Sequence, residues 1–422
     1  MNIALFALAL IIFLIAYMLF RTYRLSKFPH PVAPVDKPDI DQKSVSTHLA
    51  ELIRFKSIST ESSEGFDPRP FLDIHQWIGN TYPLLTKNLE RTCINQYSLL
   101  YVWKGSEPEL TPVLFNAHLD VVPVDESTLP DWKVEPFGGE IREGCIWGRG
   151  AIDMKSHATG LLEAVEALIR SGYQPKRTIY LAFGHDEEIM GFNGTKKIVE
   201  HLKTRGVRLA ALLDEGGLIS IGMLPGVQDP FALVGISEKG YMTLKLSAAG
   251  SPGHASQPGR QTAVGILARA IALMDDHPLP ARLDYFLPTL EKLAHILPFG
   301  LQFLIANAWL FKGLLIKNLE KSTQLNALIR TTHAATMING GIKDNVLPAS
   351  VFAKVNFRLL PGDSMDSVIA YEKKVINDPR VEIEVDETNG GWEASAVSTL
   401  DTPAYSSLEL VTRQMFDNVS VA

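Results

Sequence analysis

The hydrophobic pattern of the chain begins with a long apolar stretch. Residues 2–20, NIALFALALIIFLIAYMLF, contain no charged residue. A helix of this length spans roughly 28 Å, which is about the thickness of the hydrocarbon core of a bilayer. The stretch predicts a single-pass transmembrane anchor over residues 1–27. A cleaved signal peptide is the alternative, although no basic residue precedes the stretch and no small-residue cleavage site precedes Arg21.

Basic and proline-rich residues follow the apolar stretch. Arg21, Arg24 and Lys27 lie on its C-terminal side, so the positive-inside rule would leave the next domain in the cytoplasm. These three charges alone do not decide on which side of the membrane the next domain lies. The prolines of FPHPVAPVDKPDIDQ disfavour helix and predict an extended linker over residues 28–43.

From residue 44 onward, helical and strand patterns alternate. VSTHLAELIRF and SHATGLLEAVEALIRSGY have the apolar spacing of helices. TPVLFNAHLDVVPV, RTIYLAFGHDEE and RLAALLDEGG resemble buried strands. This order predicts an α/β domain over residues 44–235, with a sheet that carries helices on both faces.

A second pattern begins near residue 236. ISEKGYMTLKLSAAG alternates like a strand, QTAVGILARAIALMDD is an amphipathic helix, and residues 340–386 predict two strands, a helix and a further strand. We predict a separate α/β domain over residues 236–386. Its strongly apolar segment near residues 288–322 is long for a loop. It predicts either an added helical hairpin packed on this domain, or an acyl-chain groove or membrane-facing surface.

Composition narrows the class of protein. The chain has 422 residues, of which 46% are hydrophobic and 21% charged, as is ordinary for a globular enzyme. A net charge of -7, with no basic run beyond the N-terminus, argues against nucleic acid as a partner. Cys93 and Cys145 are too few for a disulfide framework or a thiolate metal site.

Acidic and imidazole groups follow the predicted strands at the edge where functional groups collect in α/β sheets. They are His118, Asp120, Asp153, Glu187, Glu188 and Asp214. Any one of them could be an ordinary solvated loop residue. Together they predict a site for one or two divalent cations, because so many anionic groups in one place need compensation. Imidazole and carboxylate donors without thiolate suit zinc, with cobalt or manganese as alternatives.

Other catalytic motifs are missing from the sequence. It contains no G-x-S-x-G elbow of a serine hydrolase and no H-E-x-x-H of a zincin. GRGAID lacks the third glycine of a dinucleotide fingerprint. The rival from another class is a non-catalytic, membrane-tethered binding or interaction protein, which metal content would distinguish from an enzyme.

Four motifs carry a family resemblance. HLDVVPV, WGRGAIDMK, GHDEEIMG and LLDEGG resemble, in order and spacing, the site motifs of the aminoacylase and carboxypeptidase S family of co-catalytic zinc metallopeptidases. The branch most similar holds carboxypeptidase S and the N-fatty-acyl-amino-acid synthase/hydrolase. The resemblance runs from about residue 44 to the end. It implies a zinc-exopeptidase-like catalytic domain with a mixed sheet over residues 44–235 and 387–422, and an inserted α/β sandwich lid that forms a homodimer.

The resemblance also implies residue roles. His118 would bind one zinc, Glu188 the other, and Asp153 would bridge both. Asp214 would complete the first zinc, with Glu215 as the alternative ligand. Asp120 would orient the imidazole of His118, and Glu187 would act as general base.

Three residues of the predicted lid match further family positions. His254 in GSPGHASQP resembles a histidine that reaches the partner subunit's active site and stabilises the developing oxyanion. Asn345 in KDNVLP resembles a polar residue near the substrate, and Arg358 in NFRLLPG resembles the arginine that binds the substrate's carboxylate. Read without the resemblance, His254 is a loop histidine and Arg358 a strand-surface charge.

The implied activity is cleavage, or the reverse formation, of an amide bond next to a free carboxylate. Substrates would be short peptides or N-acyl amino acids. The family's last zinc ligand is a histidine after the lid, whereas no histidine follows His333 here. We therefore expect a C-terminally truncated chain that is weakly active or inactive by itself, with residues 387–422 forming an incomplete part of the catalytic domain.

Overall fold

The computed structural model describes residues 2–27, 31–36, 39–61, 65–224, 226–386 and 390–422. The chain forms two compact units, one of residues 36–216 and one of residues 1–35 with 217–422. The linker predicted over residues 28–43 lies partly outside the described residues. Its described part contains no helix or strand before Gln42.

The apolar N-terminal stretch forms the helix α1 (Asn2–Leu25). Every side chain from Ile3 to Tyr17 is exposed, whereas Met18 and Thr22 are buried. Within the described part of the chain, Ile3–Leu25 is the one helix long and apolar enough to cross a membrane. A signal sequence meets the same criterion, so the anchor and the signal peptide both remain compatible with this helix.

The unit of residues 36–216 contains five α-helices, two short 3-10 turns and seven strands in its described part. They are α2 (Gln42–Arg54), α3 (Arg69–Thr81), α4 (Pro83–Asn88), β1 (Glu90–Ile94), β2 (Ser98–Trp103), β3 (Val113–His118), the turn Glu126–Asp131, β4 (Glu140–Arg142), β5 (Cys145–Trp147), α5 (Lys155–Arg170), β6 (Ile179–Gly184), the turn Glu187–Ile189, α6 (Thr195–Thr204) and β7 (Ala211–Leu213).

Five of these strands form one mixed sheet in the order β1-β2-β6-β3-β7. Strands β3, β6 and β7 are parallel, whereas β1 and β2 pair antiparallel with each other and β2 pairs antiparallel with β6. The register places His118 opposite Gly184 at the carboxyl ends of β3 and β6. The predicted strands, and the mixed sheet, are confirmed.

Alternating side chains of β6 explain why helices cover both faces of the sheet. Leu181 and Phe183 belong to a core that also contains Leu52 of α2 and Leu162 of α5. Ala182, between them in sequence, belongs to a second core with Ile198 of α6. Because successive strand residues point to opposite faces, one strand contributes to both cores. Full burial of each large apolar side chain contributes about 1.5–3 kcal/mol.

The described part of the other unit contains β8 (Ile219–Ser220), β9 (Phe231–Ala232), β10 (Gly240–Ala249), β11 (Gly253–His254), α7 (Ala263–Asp276), α8 (Leu287–Leu293), the 3-10 turn Ala294–Ile296, α9 (Phe299–Ala306), α10 (Ala308–Leu319), α11 (Thr323–Ile329), β12 (Thr332–Gly340), β13 (Val346–Leu347), β14 (Ser350–Leu359), α12 (Met365–Ile376), β15 (Val381–Val385), β16 (Gly391–Trp392), α13 (Pro403–Met415) and β17 (Ser420–Val421).

An antiparallel sheet and two helices form a two-layer sandwich in this unit. The strand order is β12-β14-β10-β15, with β16 paired to β10. Alternate residues of β10, such as Leu244 and Leu246, pack against α7 and α12 through Leu267 and Val368. Ser364 begins α12 with a capping box that includes Ser367. The strands and helices predicted here are present.

The apolar segment near residues 288–322 is helical, as one of the two interpretations predicted. It forms α8, α9 and α10. Leu293, Ile305, Leu315 and Leu319 share a third core with Phe231. This core has no buried residue in common with the core of the antiparallel sheet.

Candidate metal centre

The sheet of residues 36–216 places an imidazole and several carboxylates at one edge. His118 is the last residue of β3, and the parallel strand β6 ends opposite it at Gly184. The chain leaves β6 through His185 and Asp186 and turns at Glu187–Ile189. Because parallel strands end at the same edge of a sheet, the acidic pair Glu187 and Glu188 returns to the imidazole.

Two groups of potential metal ligands share His118. One contains His118, Glu187 and Glu215, and the other contains His118, Asp153 and Glu188, with one ligand atom of each residue within 4.8 Å of the others. His118 Nε2 lies 3.0 Å from Asp153 Oδ1, 3.7 Å from Glu215 Oε2 and 3.8 Å from Glu187 Oε2. These donors are nitrogen and oxygen atoms of the kind that zinc, cobalt and manganese accept, so the residues fit such a cation.

Asp120 holds His118, Glu187 and Glu188 in place through hydrogen bonds. Its buried carboxylate accepts hydrogen bonds from Ser59 Oγ at 2.7 Å and from the backbone N–H groups of Glu187 and Glu188 at 3.1 and 3.0 Å. His118 Nδ1 donates to the backbone oxygen of Asp120 at 3.0 Å and lies 3.4 Å from its Oδ1. This leaves the Nε2 lone pair of a neutral imidazole facing the carboxylates.

The cluster attracts positive charge. Burial lowers the pKa of His118, but hydrogen bonds with Asp120 and Glu215 and nearby carboxylates outweigh burial and raise the pKa to about 11. Burial raises the pKa of Glu187 to about 7, with further contributions from Glu215 and Asp120. Burial, and then the charge of Asp153, raise the pKa of Glu188. Without a cation, the imidazolium of His118 compensates the negative charge.

The pKa of Asp120 moves the other way. Burial alone would raise it, but hydrogen bonds from His118 and Ser59 and a backbone hydrogen bond from Glu188 lower it below its ordinary value. Asp120 is therefore ionised at neutral pH while Glu187 is near its midpoint.

Asp153 is presented by a tight turn before α5. Gly150 has φ +82°, and a Cβ there would lie 2.6 Å from Val121 Cγ1, so the turn requires glycine. Lys155, fully buried, donates from Nζ to the backbone oxygens of Leu52 at 3.0 Å and Phe55 at 2.7 Å. Burial lowers the pKa of Lys155 to about 7. Lys155 thus fixes the start of α5 against the end of α2.

Asp214 and Glu215 follow β7 but have different surroundings. Asp214 Oδ1 accepts hydrogen bonds from Asn116 Nδ2 and from the backbone N–H of Glu215, each at 2.9 Å. Glu215, the alternative ligand in the sequence prediction, lies in the first group around His118. Among the described residues, Asp214 belongs to neither group of potential ligands.

Comparison with known proteins assigns the family. Residues 114–421 match peptidase family M20/M25/M40. The chain belongs to this peptidase family. The predicted family and the predicted class of enzyme, a metallopeptidase or amidohydrolase, are thereby confirmed. The individual site residues stay predictions.

Relatives within the family have two kinds of name. The "probable carboxypeptidase S-like 2" of Dictyostelium discoideum is 37% identical over 90% of this chain and 73% of its own length. The "N-fatty-acyl-amino acid synthase/hydrolase" of Xenopus tropicalis is 37% identical over 89% of this chain and 74% of its own. A solved metallo-carboxypeptidase from Sulfolobus solfataricus is 19% identical, with a TM-score of 0.60 over 90% of this chain and 85% of that one. The last likeness concerns the fold alone.

The other predicted site residues of this peptidase-family chain lie in residues 217–422. His254 and Asn345 are neighbours, because β11 pairs with β13 and the backbone N–H of Ala255 donates to the oxygen of Asn345 at 3.0 Å. The imidazole of His254 is exposed and its Nδ1 lies 2.7 Å from Ser256 Oγ. The structure therefore brings two of the three residues together on one two-stranded ribbon.

Arg358, the third, lies on β14 with its guanidinium 5.0 Å from the ring centre of Tyr241. Tyr241 in turn stacks on Trp392, with ring centres 4.8 Å apart. Burial and the nearby charge of Arg358 lower the pKa of Lys239 to about 8. Arg358 is exposed and is the more available of the two cations for an anionic group.

Sequence reasoning missed Ser59, Asn116 and Lys155. Asn116 could have been found, because it precedes His118 by two residues and so shares a face of β3. Lys155 follows Asp153 closely in DMK, although a lysine at a helix start gives no sign of complete burial. Ser59 gives no local signal, because its partner Asp120 is distant in sequence.

Proposed function

We propose that the complete protein is a two-metal hydrolase that cleaves, or reversibly forms, an amide bond next to a free carboxylate. The observation that carries the proposal is one imidazole, His118, shared by two groups of carboxylates at a sheet edge. The substrates are short peptides or N-acyl amino acids, as the names of the relatives from Dictyostelium discoideum and Xenopus tropicalis suggest.

Residues of both groups would hold the cations, which we propose to be two zinc ions. His118 and Glu215 would bind one, Glu188 would bind the other, and Asp153 would bridge them. We assign Glu215 rather than Asp214 because its carboxylate oxygen lies 3.7 Å from His118 Nε2, whereas Asp214 is hydrogen-bonded to Asn116. When bound, such cations polarise a carbonyl and lower the pKa of an attacking water.

Glu187 would move the proton. Its carboxylate would accept a proton from the attacking water and then donate it to the leaving amine. Glu187 suits this task because its carboxylate oxygen lies 3.8 Å from His118 Nε2, within the cluster of potential ligands. The backbone hydrogen bonds from Glu187 and Glu188 to Asp120 hold both carboxylates at the sheet edge. Asp120 is therefore proposed to position the proton-transfer group as well as the imidazole.

The sandwich around β10, β12 and β14 would act as the lid and mediate a homodimer. Arg358 would bind the substrate's carboxylate, because a planar guanidinium matches carboxylate geometry and the ring of Tyr241 supports its plane. His254 would stabilise the developing oxyanion in the partner subunit's site, with Asn345 beside it contacting the substrate. The pairing of β11 with β13 supports a joint role for these two residues.

The test is Glu187→Gln in a protein produced to its natural stop codon. Zinc content should stay unchanged, while hydrolysis of an N-acyl amino acid and of a blocked dipeptide should fall by about 10²–10⁴-fold. Glu109→Gln, at an exposed loop position, is the matched control and should keep full activity. Full hydrolysis by Glu187→Gln with zinc bound would refute the assignment of the base.

A further inference from the structure

The C-terminal third of α1 is fixed to the α9–α10 hairpin. Asn307, between α9 and α10, is fully buried, and its Nδ2 lies 3.3 Å from the backbone oxygen of Met18 and 3.4 Å from Thr22 Oγ1. Arg21 Nε donates to the backbone oxygen of Ala306 at 2.8 Å and so satisfies a carbonyl at the end of α9. Leu25 packs on the core to which the hairpin belongs.

These contacts fix the hairpin at a defined level along α1. Residues 18–22 are the point where the uncharged stretch ends and Arg21 and Arg24 begin. Before this point, the exposed part of α1, Ile3–Tyr17, would extend roughly 22 Å. If α1 enters a bilayer, the contact with Asn307 therefore lies where hydrocarbon gives way to headgroups.

The hairpin presents a large apolar face that the rest of its unit leaves uncovered. Phe299 is 62% exposed, Trp309 57%, Leu314 50% and Leu310 49%. On the opposite side of α10, Leu315 and Leu319 are buried in the core. Several large apolar side chains exposed on one pair of helices favour an interaction surface.

The charge and aromatic pattern of this surface favours a lipid interface. Residues 297–319 contain two lysines and no acidic residue, in a chain of net charge -7. Lys312 Nζ lies 4.0 Å from Asp284 Oδ1, and Lys317 is exposed. Trp309, together with Tyr17 and Tyr23 of α1, adds aromatic rings of the type that concentrate at the level of headgroups. An amphipathic helix with tryptophan, leucine and lysine suits the boundary between headgroups and acyl chains.

We propose that the face formed by Phe299, Trp309, Leu310 and Leu314 lies in the interface of the same bilayer that α1 enters, with Lys317 among anionic headgroups. The protein would then contact the membrane through a span and an interfacial hairpin that Asn307 locks together. This inference depends on α1 as a membrane span and not on the proposed hydrolysis.

The test uses the full chain with Cys93→Ser and Cys145→Ser, whose native thiols are both exposed, in nanodiscs of phosphatidylcholine and phosphatidylserine. A polarity-sensitive fluorophore is attached through Leu310→Cys, Phe299→Cys or, on α1, Ile11→Cys. The matched control is Ile342→Cys, which is 95% exposed in the turn after β12. An unchanged far-ultraviolet circular dichroism spectrum identifies labelled proteins that are folded.

We expect lipids that carry a quencher near the headgroup to quench the labels at 299 and 310 several-fold more strongly than the label at 342. Lys317→Glu should weaken this quenching. The proposal would be overturned if lipids quench the label at 11 while aqueous iodide quenches the labels at 299 and 310 as strongly as the label at 342. In that case α1 would enter the bilayer and the hairpin would stay in water. Protection that vanishes when each nanodisc holds a single chain would also overturn the proposal, because a second copy would then be the partner.

Discussion

Glu215 and Asp214 are adjacent in sequence, yet the first lies beside His118 and the second is hydrogen-bonded to Asn116. We expect Glu215→Gln to weaken zinc binding by more than about 100-fold, because it removes a charged donor from the cluster. Asp214→Asn should cost at most about 10–100-fold, the range for residues that only support a ligand. Competition with a chromophoric chelator measures both affinities.

This pair of variants discriminates between the two assignments. If Asp214→Asn loses zinc while Glu215→Gln retains it, the assignment of Glu215 is wrong and the original sequence prediction is right. The matched control at this edge is Asp186→Asn, since Asp186 accepts a hydrogen bond from the backbone of Asn193 and lies outside both ligand groups.

Single residues also show where sequence patterns stop being informative. His118, Glu187 and Glu188 could be assigned to one place because strand periodicity fixes which edge of the sheet they reach. The choice between Asp214 and Glu215 could not be made, because the chain leaves β7 through Gly216 with φ +106°. The direction of each side chain there depends on turn geometry that the two acidic residues share.

Among the elements, α12 carries a buried glutamate, Glu372, on its apolar face. Val368, Glu372 and Ile376 are spaced four residues apart and all three are buried. Neither carboxyl oxygen of Glu372 has a hydrogen-bond partner in the described part of the chain, and His333 Nδ1 lies 3.9 Å from Glu372 Oε1. Burial raises the pKa of Glu372 to about 7. The amphipathic pattern predicted the helix but treated this glutamate as a surface residue.

Glu372 should make stability depend on pH. Its folded-state pKa lies above the unfolded value of 4.5, so its stabilising contribution is complete below about pH 4.5 and is lost as pH rises through about 7. The free energy of unfolding should fall by up to about 3 kcal/mol across this window. Glu372→Gln should make the fall smaller by this amount, while the raised pKa values of Glu187 and His118 leave a remaining fall in both proteins. Thermal midpoints at about pH 5 and about pH 8 would measure the difference.

Two comparisons isolate the effect of Glu372. Burial lowers the pKa of His333, which gives the opposite slope, but His333 is present in both proteins and so cancels in their difference. Glu382→Gln, at an exposed position of β15, should keep the native pH profile. A Glu372→Gln protein that loses as much stability between the two pH values as the native chain would contradict the prediction.

At the scale of the whole molecule, the sequence predicted which strands and helices form better than it predicted which of them pack together. The individual strands and helices followed from periodicity, because each element buries one regular face. The mixed sheet and the sandwich were implied by the family resemblance. The packing of α1 on the α9–α10 hairpin did not follow. It depends on Asn307, a polar residue inside an apolar run whose partners, Met18 and Thr22, lie far away in sequence.

The last prediction concerns the stability of the whole protein and its metal. A cation that binds the folded cluster and not the unfolded chain should stabilise the protein by about 2.7 kcal/mol at a hundredfold excess over its dissociation constant. Zinc should therefore raise the thermal midpoint in a concentration-dependent way, and a chelator should lower it.

His118→Ala should remove the zinc dependence, because both ligand groups contain His118. His254→Ala should keep the full zinc dependence while losing hydrolysis, since His254 lies outside both groups. If His118→Ala gained as much from zinc as the native chain, the metal would bind elsewhere and the proposed centre would be wrong.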